Sequence, residues 1–92
     1  MIFYTRYIMK PKYNKNSVIE RIEIKELLII KYGSKCSQLN GHGCGKLFHS
    51  FDLTIDHIKP INRKGSDNFE NLQLLCNECH YTKTYLENIG VK

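Results

Sequence analysis

The sequence predicts a small α+β domain, stapled by a metal, with a helix ahead of a mixed strand-and-helix core. Three observations carry that expectation. The chain has 92 residues and four cysteines, so its core is small and a staple is needed. Residues 17–32 look helical, with a stop and a start signal at their ends. A β-branched apolar run at 53–58 is followed by a C-x-x-C pair and a further helical stretch at about 78–88. This length predicts one domain.

Residues 1–16 form a basic and aromatic arm. Tyr4, Tyr7 and Tyr13 alternate there with Arg6, Lys10, Lys12 and Lys15, and no acid occurs. Such an arm either packs its rings on the domain or contacts DNA, where cations meet phosphates and rings stack on bases. Met9 is an alternative start. The apolar opening is broken at Arg6, too early for a signal peptide or a membrane span. A cytoplasmic protein is therefore expected, with reduced thiols, and four cysteines then point to metal before disulfides. The net charge of +5 suits a polyanionic partner.

In "SVIERIEIKELLIIKY", Ser17 with Glu20 three residues on fits a capping box. Ile19, Ile22, Leu27 and Ile30 are read as one apolar stripe, widened by Ile24, Leu28 and Ile29. That surface is core, or alternatively a dimer face. Gly33 is placed to end the helix. "CSQLNGHGCGKLF" (36–48) reads as a loop because of glycines 41, 43 and 45. "NRKGSD" (62–67) is a second loop, and "NLQLLC" (71–76) a short apolar run into the last helix.

Cys76-Asn-Glu-Cys79 is a knuckle that can give two thiolates to one zinc. Cys36 and Cys44 supply a second pair, although seven residues separate them. The glycines would let that loop double back. His42 is an alternative fourth ligand. Four thiolates leave no open position, so the zinc would be structural.

Asp56 and His57 interrupt the apolar strand side by side, and neighbours on a strand point to opposite faces. Asn71 follows His57 after 13 residues, and His80 follows Asn71 after 8, directly after Cys79. With "LTIDHIKPINRKGSDNFENLQLLCNECH", "KYGSKC", "CGKLF" and "YTK", the stretch from about 30 to 84 resembles the HNH endonuclease family. The resemblance implies a ββα-metal (HNH, or His-Me finger) fold, with its core over about 50–88 of a domain spanning 17–92. It implies that His57 is the general base, that Asp56 and His80 hold one divalent cation, and that Asn71 holds the hairpin loop so that His57 points correctly. The chemistry suits those types: a cation stabilises charge on the scissile phosphate, and histidine accepts a proton near neutral pH. The cation could be magnesium, manganese, nickel or zinc. Two departures stand out, the wide first cysteine pair and Lys64-Gly65 where the family often has Gly-Gly. Arg63, Lys64 and Lys83 are candidate phosphate contacts, or solvated loop and helix side chains.

A metal-dependent DNA endonuclease or nickase is the expected function. Alternatives are a zinc-stapled nucleic-acid-binding module without catalysis, and an interaction protein using the first helix. Double-stranded DNA with weak sequence preference is the expected partner, since 92 residues leave little for base-edge contacts. No membrane partner is expected. The chain looks like small freestanding HNH proteins of bacteriophages or mobile elements, which leaves room for a homodimer or a packaging partner.

Overall fold

The computed structural model describes residues 11–39 and 41–89. The tyrosines at 4 and 7, Arg6, Lys10 and the alternative start at Met9 lie outside them. Helix α1 spans Val18–Tyr32, strand β1 Leu53–His57, strand β2 Leu72–Cys76 and helix α2 Asn77–Asn88. The strands form an antiparallel pair with Leu53 opposite Cys76, Asp56 opposite Gln73 and His57 opposite Leu72. Three short 3-10 turns, at Ser50–Asp52, Ile61–Arg63 and Phe69–Asn71, lead into and out of the strands. The architecture is a helix, then a β-hairpin running straight into a second helix, as the α+β expectation required.

α1 starts where its cap signal lies. The Ser17 hydroxyl accepts the Glu20 N–H at 3.2 Å, while the Ser17 N–H itself goes back to the Asn14 carbonyl. At the other end Gly33, at φ 91°, donates its N–H to the Ile29 carbonyl at 2.7 Å. A side chain there would be strained, which is why glycine ends the helix.

The buried face of α1 differs from the expected stripe. Ile24 and Leu28, one turn apart, are fully buried, with Leu27 and Ile29 packed beside them. Ile19, Ile22 and Ile30 are 70, 54 and 68% exposed. The reason is the size of the partner. Each strand of the hairpin is five residues long, so it covers only a narrow strip of the helix. Burying Ile24 and Leu28 contributes about 1.5–3 kcal/mol each.

β2 is buried at every position, which explains why "LQLLC" does not alternate. Both helices pack against it. The core joins Ile24 and Leu28 to Leu53, Phe69, Leu72, Leu74, Leu75, Cys36 and Cys76. Tyr13, from the described part of the arm, packs on that core, and its N–H bonds to the Asp67 carbonyl at 2.9 Å. Among the described residues no helix is long and apolar enough to cross a membrane.

Candidate metal centre and cleft

The four cysteines converge. Their sulfurs lie within 4.8 Å of one another, and all four are free thiols. Four thiolates about 2.3 Å from one zinc stand about 3.8 Å apart, so only a small contraction is needed. The wide first pair closes because residues 34–36 run antiparallel to 46–48. Phe48 N–H bonds Ser34, Cys36 N–H bonds Lys46, and Lys35 bridges Leu47. Gly43 makes the return possible. A Cβ there would fall 1.4 Å from the Ser37 carbonyl oxygen and 3.1 Å from the Cys36 sulfur. The second pair needs no loop at all, since Cys76 ends β2 and caps α2, and Cys79 sits in the first helical turn. His42 is exposed and outside the cluster.

The electrostatics also suit a cation. Burial pushes Cys76 upward, and it pushes Cys79 up to about 12. Burial would raise Cys36 too. The N–H groups of Cys76 and Cys44, at 3.4 and 3.3 Å from its sulfur, together with hydrogen bonds from the Cys79 and Cys44 side chains, outweigh that and bring it down to about 7. A thiolate thus sits easily at Cys36 and is resisted at Cys76 and Cys79, a resistance that a divalent cation would remove.

The second arrangement lies at the far end of β1. Asp56 is 6% exposed and its two oxygens face different neighbours. Oδ2 accepts from Gln73 Nε2 at 2.8 Å and lies 3.3 Å from Lys83 Nζ. Oδ1 lies 3.6 Å from His80 Nε2. Two ligands about 2.1 Å from one cation lie about 3 Å apart at a right angle and about 4.2 Å apart when opposed. The Oδ1–Nε2 pair therefore fits one ion, with Asp56 as a one-oxygen ligand.

His57, next on the strand, has other partners. Its Nε2 is 2.8 Å from Asp67 Oδ1, and its ring meets that of Tyr13 edge-on with centroids 5.0 Å apart. Asp56, His57, His80, Lys83 and Glu87 line one open cleft of about 540 Å³, together with Tyr13 and the turn at Pro60–Asn62. His80, Lys83 and Glu87 recur at three- and four-residue spacing, so one face of α2 forms its wall.

Asn71 ties the loop between the strands. Its Oδ1 accepts the Lys59 N–H at 2.9 Å, and its Nδ2 donates to the Lys59 and Ser66 carbonyls at 3.0 and 2.7 Å. Inside the loop Lys64 sits at φ 69°, and a Cβ on Gly65 would fall 1.8 Å from the Lys59 carbonyl oxygen. Gly65 is thus required by contact, whereas Lys64 occupies a left-handed position that glycine would fill without strain.

The candidate phosphate contacts separate. Lys64 is exposed. Arg63 is half-buried, and its Nη2 donates to the Glu87 carbonyl at 3.3 Å, close to the end of α2. Lys83 is not a surface cation: it is 2% exposed, donates to the His57 carbonyl at 3.0 Å, and pairs with Asp56 and Glu87. A lysine three residues after a cleft histidine reads equally as surface or wall. Glu87 four residues later marks a pairing partner on the same helix face, and it is Asp56 on β1 that draws Lys83 inward.

Gln73 and Asp67 escaped the sequence reading. Gln73 carried a signal, a single amide within a fully apolar strand, which needs a buried partner. Asp67 carried none, because loop acids are common and its distance from His57 depends on the turn geometry.

A hairpin passing directly into a helix, with an acid and two imidazoles in one cleft over a four-cysteine staple, defines a ββα-metal type of domain. Residues 42–86 match the family described as HNH endonuclease. The chain carries an HNH endonuclease domain with a four-cysteine cluster, and that family implies a nuclease acting on nucleic acid. Cys36 lies outside the matched stretch, yet it joins the cluster. No curated protein matches the chain.

Proposed function

We propose that the protein is a metal-dependent DNA endonuclease or nickase, with His57 as general base and one divalent cation held by Asp56 and His80. The observation that carries this is the placement of Asp56 Oδ1 3.6 Å from His80 Nε2 in the cleft that His57 also lines. When bound, the cation supplies Lewis-acid stabilisation of the charge that builds on the scissile phosphate and its leaving oxygen. His57 takes the proton of the attacking water. Asp56 and His80 come from a strand and a facing helix, and so define the cation position rigidly. Asn71 fixes the loop that follows His57. Lys83 and Gln73 hold Asp56 Oδ2, leaving Oδ1 for the cation.

The cation is magnesium, manganese, nickel or zinc, since a mixed oxygen and nitrogen pair accepts each. A separate zinc at Cys36, Cys44, Cys76 and Cys79 is structural. Lys64 is a phosphate contact on double-stranded DNA, and Arg63 lies beside it. Sequence preference is weak. One site cuts one strand, so a double-strand break takes a homodimer or two visits. A bacteriophage-type role in the cytoplasm of a host, including DNA packaging, fits a domain of this size.

Incubating supercoiled plasmid with the zinc-loaded protein, each cation in turn, and His57→Ala alongside tests this. Nicked or linear product is expected only with added cation, and His57→Ala should lower the rate by at least about a hundredfold. A folded, zinc-loaded protein that shifts DNA but cuts with no cation would instead be a binding module.

A further inference from the structure

His57 is held from two sides, by Asp67 and by Tyr13. Asp67 Oδ1 meets its Nε2 at 2.8 Å, and the Tyr13 ring stands against it edge-on. Asp67 is half-exposed at 48%, so its position has to come from the backbone beneath it. That backbone is pinned on every side. The Ser66 carbonyl takes the Asn71 amide at 2.7 Å, and the Asn68 carbonyl takes the Asn71 N–H at 2.8 Å. The Asp67 carbonyl itself takes the Tyr13 N–H at 2.9 Å. Tyr13 therefore touches the imidazole with its ring and anchors the imidazole's acid with its main chain.

A carboxylate is an acceptor only. Against it, Nε2 of a neutral imidazole must carry the proton, and Nδ1 is left bare. We infer that Asp67 is a positioning residue that fixes His57 in the Nε2–H tautomer, so that Nδ1 is the atom that accepts the proton, and that Tyr13 holds Asp67 for this task. The inference rests on the proposal that His57 is the general base. It gives Tyr13, ahead of α1, a place at the catalytic cleft, and it gives the loop before Asn71 a purpose beyond closing the hairpin. Orientation by a hydrogen-bonded carboxylate is how imidazoles are commonly held in one tautomer.

The test uses the full zinc-loaded chain and two readouts. The first is single-turnover nicking, with the rate at saturating DNA separated from DNA affinity. Asp67→Ala should lower the saturated rate about tenfold to a hundredfold without weakening DNA binding. Asp67→Asn keeps an oxygen acceptor and should recover most of that loss. Tyr13→Ala should fall between wild type and Asp67→Ala. The second readout is the nitrogen-15 spectrum of His57 at about pH 8, where an ordinary imidazole is neutral. Wild type should show the Nε2–H tautomer, and Asp67→Ala a mixture.

An Nδ1–H tautomer in wild type, or a wild-type saturated rate in Asp67→Ala, overturns the inference. If wild type cuts and His57→Ala does not, a normal rate in Asp67→Ala sinks this inference alone. If wild type does not cut at all, the nuclease proposal falls. The tautomer assigned to Asp67 is then decided by the spectrum, which needs no cleavage.

Discussion

The two ends of the hairpin hold two different kinds of site. At one end, Cys76 and Cys79 meet Cys36 and Cys44, four soft ligands that could saturate a tetrahedral ion. At the other, Asp56 Oδ1 and His80 Nε2 lie 3.6 Å apart, one oxygen and one nitrogen that, under the proposed function, would hold a cation and leave its remaining positions open. The same strands connect them, since Leu53 pairs with Cys76 at one end and His57 with Leu72 at the other. The cysteine cluster adjoins the small core, to which Cys36 and Cys76 belong, and a zinc there would reinforce it. The two ends are joined through the first turn of α2, which carries Cys79 of one and His80 of the other.

The comparison is sharpest when one end is broken and the other watched. Cys36→Ser has the largest expected effect. It should release zinc and abolish the cooperative thermal transition, because zinc binding supplies about 10–16 kcal/mol in small zinc-dependent domains. Metal content and circular dichroism during melting check this. The sign with pH follows from proton competition: thiolates bind zinc and thiols do not, so acidification should release it and alkali should not.

Asp56→Asn should have the second largest effect and leave the closed site intact. Zinc content should stay at the wild-type value, while cleavage falls by at least about a hundredfold, since a Lewis acid is worth several kcal/mol. Metal analysis and a nicking assay on one preparation would separate the two ends. Lys83→Met should follow. It removes a buried cation from between Asp56 and Glu87 and leaves both acids short of a partner, at a cost of about 3–5 kcal/mol. Urea unfolding measures that cost. Lys64→Gly should be smallest and of opposite sign, a gain of about 0.5–1 kcal/mol from relieving a left-handed backbone, with zinc unchanged.

The two ends also differed in how far they could be read. The cysteine end was legible because thiols have few other uses in a reduced chain, and the glycines announced the loop that brings Cys44 back to Cys36. α1 was legible in its ends and not in its face. Ser17 and Gly33 act locally, whereas which isoleucines are buried depends on how narrow a hairpin lies beneath them. The acid end was legible as a set of residue types. Its wiring was not: Gln73 reaches Asp56 through strand register, Lys83 turns inward because Glu87 and Asp56 flank it, and Asp67 reaches His57 only once Asn71 has closed the loop. The Gln73–Asp56, Lys83–Asp56 and Asp67–His57 contacts each join different elements, and of these only the lone amide of Gln73 leaves a mark in the linear pattern.

Under the proposed function, Asp56 and His57, neighbours on one strand, do different jobs. The most direct measurement is manganese binding by electron paramagnetic resonance, set beside plasmid nicking by the same zinc-loaded samples of wild type, His57→Ala and Asp56→Asn. His57→Ala should bind manganese as wild type does and fail to nick, and Asp56→Asn should lose both. Loss of manganese binding in folded His57→Ala, or nicking retained there at the wild-type rate, would contradict the claim.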